Sequence, residues 1–240
     1  MSHTFVIAEI GSCHENGLKN AHLLIDAARE AGADAAKAQF WSSSKALAQR
    51  RNVMLAEPVY ARFKLPVGWL DILADHCRRV GLEFMCTTYL IEDIPIVAPY
   101  VSRFKISAYE SKWGDFINAH YEYRREIIVS TNPGNVVCYG DVYRRQGAPS
   151  IKRLHCISHY PTKLDDLGLS RIRESGLDGF SDHSANVIAG AQAVAYGATI
   201  VEAHIKLDHT LETNPDFQHS LAPDDFYSYV KHIRDAERMQ

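Results

Sequence analysis

Residues 82–89, 103–110 and 126–131 read LEFMCTTY, RFKISAYE and EIIVST, and each contains a short, largely apolar run followed by polar residues. Within each run the apolar residues are mostly contiguous and do not alternate strictly with polar ones. This pattern is typical of parallel strands that are buried on both faces of a sheet. The three stretches therefore predict neighbouring strands of a parallel sheet, joined by helical connections.

The same pattern is found along the whole sequence. Five further runs are TFVIAEIG (4–11), DAAKAQF (34–40), IKRLHCIS (151–158), GFSDHS (179–184) and TIVEAHI (199–205). With the three runs above, the second of which begins as SRFKIS (102–107), they make eight. Dividing 240 residues by eight runs gives 30 residues per unit, about the length of a βα unit with its loops. We therefore predict an α/β fold, a (β/α)₈ TIM barrel that occupies residues 1–240 as a single domain. An open doubly wound sheet is the alternative.

Amphipathic segments between the runs predict the helices. They cover residues 20–31, 68–80 and 185–196, each followed by a glycine, and a final helix starts after Pro223 and runs through Ile233. Residues 41–66 form a longer insertion after the second run, rich in basic and aromatic side chains. We predict that this insertion is a loop with short helical pieces.

Composition excludes several classes of protein. Hydrophobic residues make up 46% of the chain, charged residues 23%, and the mean hydropathy is -0.21, which argues against disorder and against a membrane-embedded body. The formal net charge of -3 gives no general attraction to nucleic acid or to a membrane surface. Five scattered cysteines without a CxxC pair, and no secretory leader, favour a cytoplasmic location.

Polar residues lie near the carboxyl end of every predicted strand, where the loops of a barrel converge on its site. They are Glu9, Lys37, Gln39, Thr87, Thr88, Lys105, Glu110, Ser130, Thr131, His155, Ser158, Tyr160, Ser181, Asp182, His183, Glu202 and His204. Lys37 and Lys105 are the most informative, because a buried ammonium group needs an anionic partner or loses its proton. Each could pair with Glu9 or Glu110. We favour a phosphate or carboxylate of a ligand, with neighbouring hydroxyl groups as further donors.

His183 and His204 occupy corresponding places on the last two predicted strands, which are neighbours in a closed barrel. Two imidazoles placed in this way can bind a divalent ion such as Mn²⁺ or Zn²⁺ and leave positions open for a substrate. Spacing alone, however, favours two hydrogen-bonded core histidines over a metal site.

The motifs resemble those of the sialic acid synthase (NeuB-like) family, which condenses phosphoenolpyruvate (PEP) with an N-acetylhexosamine. In chain order they are AEIGSCHENG (8–17), AGADAAKAQF (31–40), FMCTTY (84–89), RFKISAYE (103–110), IIVSTNPG (127–134), LHCISHYPT (154–162), GFSDHS (179–184), VEAHIKLD (201–208) and NPDFQHSLAPDDF (214–226). Any one of these strings is weak evidence. The whole set follows the family's order and covers nearly the entire chain.

The resemblance implies a reaction and a set of roles. PEP would condense with an aldehyde sugar to give a 2-keto-3-deoxy (ulosonic) acid and phosphate, with Mn²⁺ or Mg²⁺ bound by His183 and His204. Glu110 matches the family's acid/base glutamate, and we expect Glu9 to act beside it. The positions that match the PEP site are Lys37, Gln39, Thr87, Lys105, Ser130 and Ser181, and those that match the acceptor side are Glu9, Ser158, Tyr160 and Asp216.

Some positions depart from the family pattern. Ala108 replaces a serine, Tyr109 a glycine and Ser158 an asparagine, and residues 130–133 read STNP in place of STGM. No stretch resembles the family's C-terminal antifreeze-like domain, whose arginine binds the acyl sugar in the partner's site. We therefore expect an acceptor other than N-acetylmannosamine, and either a homodimer or a separate acceptor-binding subunit.

Two other functions remain open from the sequence. A lysine inside a barrel strand, Lys105 or Lys37, could form a Schiff base with a keto acid, as in an aldolase. Alternatively, the barrel could have lost turnover and bind a sugar acid or act as a partner subunit.

Overall fold

The computed structural model describes residues 3–133 and 150–239. Its strands are β1 Phe5–Glu9, β2 Ala35–Phe40, β3 Glu83–Thr88, β4 Phe104–Ile106, β5 Ile127–Thr131, β6 Ile151–Cys156, β7 Gly179–Asp182, β8 Ile200–Ile205 and β9 Ser220–Leu221. Strands β1 to β8 are parallel and neighbour one another in chain order, and β8 pairs with β1. This closure confirms the predicted barrel and excludes the open sheet. The short strand β9 extends the sheet beside β8.

The helices of the described ranges pack around this barrel. They are α1 Leu18–Glu30, α2 Ser44–Arg51, α3 Glu57–Arg62, α4 Trp69–Val80, α5 Ile94–Val97, α6 Gly114–Tyr121, α7 Ser170–Glu174, α8 Ala189–Ala195 and α9 Pro223–Arg238. Helices α2 and α3 are the short helical pieces predicted in the insertion. The helix predicted at residues 185–196 begins four residues late, because Ala185 has a φ of 51° and Asn186 Oδ1 accepts from the Ile188 amide in a turn.

The apolar strand residues divide between two cores. Inside the barrel, a buried cluster contains one or more side chains from six of the strands, namely Ile7, Ala35, Met85, Ile128, Leu154 and Ile200. Outside it, a larger cluster joins the other strand faces to the helices, as between Phe104 and Phe116. Burial on both faces explains why the strand sequences are continuously apolar.

Strand register brings the polar strand ends together at the carboxyl end of the barrel. Glu9 is aligned with Lys37 on β2 and with His204 on β8, and Thr87 is aligned with Lys105 on β4. The register also aligns Lys37 with Met85 of the inner apolar cluster, so these polar side chains lie at the edge of that cluster, at the carboxyl end of the strands.

Across residues 3–133 and 150–239, no helix has both the length and the hydrophobicity to cross a membrane. Cys13, Cys77, Cys86 and Cys156 are free, buried thiols. Cys138, and Gly134 of the fifth motif, lie outside the described residues.

Candidate active site

A cavity of about 490 Å³ opens at the carboxyl end of the barrel. Twelve of the predicted site residues line it, namely Glu9, Lys37, Gln39, Thr87, Lys105, Ser130, Ser158, Tyr160, Ser181, His183, His204 and Asp216. Glu110 is fully buried and is absent from the lining, although Ser107, Ala108 and Tyr109 before it belong to the cavity wall. The structure thus brings together every residue that was given a role except Glu110. Their roles stay predictions. Four other strand-end candidates are not part of the lining and pair elsewhere, namely Thr88, Thr131, His155 and Asp182.

The two buried lysines lie on either side of Glu202, a carboxylate of β8. Lys105 Nζ is 3.2 Å from Glu202 Oε1 and donates to Ser130 Oγ at 2.8 Å. Lys37 Nζ is 3.6 Å from Glu202 Oε2, donates to Thr87 Oγ1 at 2.9 Å and is also hydrogen-bonded to Glu9. The carboxylate partner of Lys105 is therefore Glu202 and not Glu110.

Burial and these ion pairs have opposite effects on the pKa values of the two lysines and of Glu202. Burial lowers the pKa of Lys105, and the nearby Glu202 only partly offsets this effect. Burial also disfavours the charge of Lys37, but the carboxylates of Glu202 and Glu9 outweigh it and raise the pKa of this lysine. Burial disfavours the carboxylate of Glu202 too, yet the two lysines lower its pKa to about 2. Glu202 therefore stays ionised between the two ammonium groups.

Glu110 is held by an arginine from the insertion. Arg51, the last residue of α2, donates from Nε to Oε1 and from Nη2 to Oε2 of Glu110, both at 2.8 Å. Ser107 donates a further hydrogen bond to the same carboxylate. The Arg51 guanidinium also lies 4.9 Å from the ring centroid of Tyr89 and 5.1 Å from that of Tyr109. Glu110 is thus withdrawn behind Arg51, which itself lines the cavity.

This pairing gives a first testable prediction. Arg51→Met leaves the fully buried Glu110 carboxylate without its cation, and we expect it to lower the free energy of unfolding by about 3 kcal/mol. The control is Arg78→Met, which removes an exposed pair with Asp75 and should change stability by less than about 1 kcal/mol. Urea denaturation followed by circular dichroism measures both. Equal, small effects would show that the Arg51 pair is not a buried interaction.

Three imidazoles meet on the opposite side of the cavity. The ring centroid of His204 lies 5.5 Å from that of His183 and 4.5 Å from that of His219, which follows β8. His183 Nδ1 is 3.0 Å from the Ile157 carbonyl oxygen, an acceptor, so Nδ1 carries the proton and Nε2 keeps its lone pair. Burial lowers the pKa of His183 to about 4 and that of His204 well below its usual range. Both rings are therefore neutral and able to bind a metal.

Unpaired donor atoms in this cluster fit a divalent metal. His204 Nδ1 is buried and has no hydrogen-bond partner among the described residues. His204, Asp216 and His219 can each offer a ligand atom, and these atoms all lie within 4.8 Å of one another. His183 is adjacent but lies outside this compact group.

A glycine of the first motif allows Asp216 to approach. Gly11 has a φ of 45°, and a Cβ there would lie 2.2 Å from Asp216 Oδ2. The amide and the hydroxyl of Ser12 both donate to the same oxygen, at 2.7 and 2.8 Å. Only glycine fits this close approach without strain, so the AEIG segment fixes the Asp216 carboxylate beside the imidazoles.

Some functional candidates were missed by sequence reasoning. Arg51 lies in an insertion where no motif or strand end distinguishes it, and His219 lies in a loop after the last barrel strand. Glu202 was recognised as a strand-end residue but was given no role. Its position two residues before His204 is the signal, since residues two apart on a strand point to the same face.

The described residues define a class of protein, a (β/α)₈ barrel with a charged cavity built from the carboxyl ends of its strands. The chain belongs to the NeuB family, whose sequence model matches residues 24–240. This confirms the resemblance found in the motifs.

Individual relatives agree with this membership. The chain is 28% identical to a pseudaminic acid synthase of Campylobacter jejuni, over 97% of its own length and 74% of that protein. It is 29% identical to an N,N'-diacetyllegionaminic acid synthase of Legionella pneumophila, over 97% and 72%. The crystal structure of an N-acetylneuraminic acid synthetase from Leptospira borgpetersenii, in complex with citrate, superposes with a TM-score of 0.88 at 22% identity, covering 99% of this chain and 85% of that one. At that identity the structure shows the shared fold alone.

Proposed function

We propose that the chain condenses PEP with an aldehyde sugar of the N-acylhexosamine type, giving a 2-keto-3-deoxy (ulosonic) acid and phosphate. The observation that carries the proposal is the arrangement of Lys37 and Lys105 in one cavity with an imidazole cluster. Ammonium groups and metal-binding imidazoles are the two kinds of group needed to bind an anionic phosphoenol beside an aldehyde. Membership of the NeuB family supports the same assignment.

The lysine side of the cavity suits the two anionic groups of PEP. Lys105 and Lys37 are both buried, and the hydroxyls of Thr87 and Ser130 accept hydrogen bonds from them. These hydroxyl groups can turn and donate to a phosphate or carboxylate oxygen when a ligand arrives. The lysines would then contact both Glu202 and the ligand. Their hydrogen bonds to an anionic ligand would be charge-assisted, and such bonds are stronger than those between neutral groups.

The imidazole side suits a divalent metal, Mn²⁺ or Mg²⁺ on the family pattern. The unpartnered nitrogen of His204 and the lone pair of His183 Nε2 would hold it. A bound divalent ion there supplies a Lewis acid that polarises an aldehyde oxygen. Because His183 and His204 line the same cavity as Lys105 and Glu202, an aldehyde activated there would share the cavity with PEP held by the lysines.

The reaction balances with water as the one further reactant. The methylene carbon of PEP forms a bond to the aldehyde carbon, and the aldehyde oxygen takes up a proton. Water then adds to the former enol carbon, the bond between that carbon and the phosphate oxygen breaks, and phosphate leaves. Glu9 is the carboxyl group of the cavity wall best suited to exchange these protons, because burial raises its pKa while the Gly11 amide fixes its Oε1 at 2.7 Å.

A phosphate-release assay tests the proposal. We expect release from PEP only when Mn²⁺ or Mg²⁺ and a suitable aldehyde are both present, with a panel of N-acylated hexoses and simpler aldehydes as acceptors. Omission of metal or of the aldehyde serves as control. PEP binding without release in any condition would favour a barrel that binds its ligand but has lost turnover, and the absence of both would contradict the proposal.

A Schiff-base aldolase is the second candidate, and one observation favours it. Burial lowers the pKa of Lys105, which makes its neutral, nucleophilic amine more accessible. Borohydride treatment in the presence of a keto acid distinguishes the two reactions, since it would attach the substrate covalently to Lys105 in an aldolase only.

A further inference from the structure

His219 has no role in the functions considered so far, yet its environment is unusual. It closes the short 3₁₀ helix Phe217–His219 and is only 4% exposed. Neither Nδ1 nor Nε2 has a hydrogen-bond partner within the described ranges of the chain. Buried polar atoms are nearly always paired, so a ring with no hydrogen bond to Nδ1 and a long contact of 3.4 Å between Nε2 and Asp216 Oδ1 has room for a further partner.

The neighbours of His219 are side chains of the kinds that bind cations. The ring lies 4.5 Å from His204 and 5.9 Å from His183, measured between centroids, and Tyr160 covers it at 5.0 Å. Asp216 Oδ1 lies 3.4 Å from its Nε2. Three imidazoles and a carboxylate that converge in a buried cavity are the donor set of a transition-metal site.

The spacing of the donor atoms agrees with a shared ion. Two ligands with bonds of about 2.1 Å in tetrahedral geometry are separated by about 3.4 Å. The separation of His219 Nε2 from Asp216 Oδ1 is 3.4 Å, and that of His204 Nδ1 from Asp216 Oδ2 is 3.9 Å. The ligand atoms of the three residues lie within 4.8 Å of one another, so one ion placed between them could contact all three side chains.

We propose that His219 is a metal ligand together with His204 and Asp216, and that this additional imidazole makes the site select Zn²⁺ or Co²⁺ over Mg²⁺. Imidazole nitrogen suits the borderline transition metals, whereas Mg²⁺ prefers oxygen ligands and retains its water. The inference rests on the proposed function for the presence of a metal, and it replaces the Mg²⁺ option with a different class of ion. It also assigns Asp216 to the metal, where the sequence assigned it to the acceptor.

Equilibrium metal binding to the full chain, without substrate, is the first test. Metal-free protein is titrated with Zn²⁺ against a chromophoric chelator, and with Mg²⁺ by calorimetry. We expect His219→Ala to weaken Zn²⁺ binding by roughly 100-fold, since even loss of a residue that only supports a ligand costs 10–100-fold. The control is His209→Ala, which removes an exposed imidazole that contacts Asn20 and should leave Zn²⁺ affinity unchanged.

A second variant reports the bond to the metal directly. In His219→Cys the thiolate can replace the imidazole as a ligand, so Zn²⁺ affinity should recover and Co²⁺ should produce a sulfur-to-cobalt charge-transfer band. The wild type and His209→Cys should lack this band. The band is observable even if His219→Ala fails to fold.

Either of two results overturns the inference. One is unchanged Zn²⁺ affinity in folded His219→Ala, and the other is Co²⁺-loaded His219→Cys without the band. Failure of the proposed function is separable from both, because a chain that binds Zn²⁺ through His219 but releases no phosphate from PEP fails only in the reaction.

Discussion

Lys105→Met is expected to lower the affinity for PEP by roughly 100-fold and to reduce phosphate release at least as much, since a hydrogen bond to a charged group contributes about 1.5–3 kcal/mol. Methionine keeps an unbranched, apolar stem of similar size and removes the ammonium group. Glu202 retains Lys37 at 3.6 Å, so the variant keeps one cation beside the buried carboxylate and should fold. Calorimetry with PEP and the phosphate assay measure the two effects.

The control for this variant is another strand lysine outside the cavity. Lys152 on β6 is paired with Asp178 at 3.1 Å and is partly exposed. Lys152→Met should leave PEP affinity within about twofold of the wild type, because a partly exposed pair contributes little. Equal loss in the two variants would mean that charge on the protein as a whole, and not the cavity lysine, binds the phosphate.

Gly179→Ala is expected to have the largest effect on stability. A Cβ at this position of β7 would lie 1.9 Å from the Ile200 carbonyl oxygen and 2.8 Å from its carbon, both in the backbone of β8. Gly179 is aligned with Ile200 in the ladder, so the clash falls on the pairing of these two strands. We expect a loss of about 4 kcal/mol or more, or no folded protein at all.

A second glycine provides the matched control. Gly68, before α4, has a φ of -66°, and a Cβ there meets nothing within 4 Å. Gly68→Ala should be neutral or stabilise the protein by a few tenths of a kcal/mol, since alanine lowers the entropy of the unfolded chain. Denaturation curves of both variants give the comparison. A Gly179→Ala protein as stable as Gly68→Ala would show that β7 and β8 are not packed as described.

The fold was predictable because the strand signal is simple. Continuous apolar runs spaced at about 30 residues leave few arrangements other than a closed parallel barrel, and all eight predicted strands are present. Helix ends were less predictable. The late start of α8 depends on the turn at Ala185 and Asn186, whose backbone conformation is not encoded in the hydrophobic pattern.

The site was predictable where its residues belong to strands. Lys37, Lys105 and His204 reach the cavity because strand register aligns their positions, and register follows from the apolar pattern. Arg51 and His219 come from an insertion and a loop. Their positions depend on tertiary contacts that no local pattern records.

The surroundings of Glu110 also depend on a tertiary contact that the sequence pattern does not predict. Sequence similarity assigns it an acid/base role, whereas the structure holds it in a two-point ion pair with Arg51, outside the cavity wall. Glu9, fixed by the Gly11 amide, is the carboxyl group that lines the cavity from β1. We therefore expect Glu110 to exchange protons with a substrate only if a ligand separates its carboxylate from Arg51.

Calorimetric titration of PEP into the metal-loaded protein tests the central claim most directly. Two buried lysines facing one cavity predict saturable binding of one PEP per chain, weakened in Lys105→Met and preserved in Lys152→Met. A wild-type protein that is folded and metal-loaded yet shows no heat of PEP binding would contradict the account.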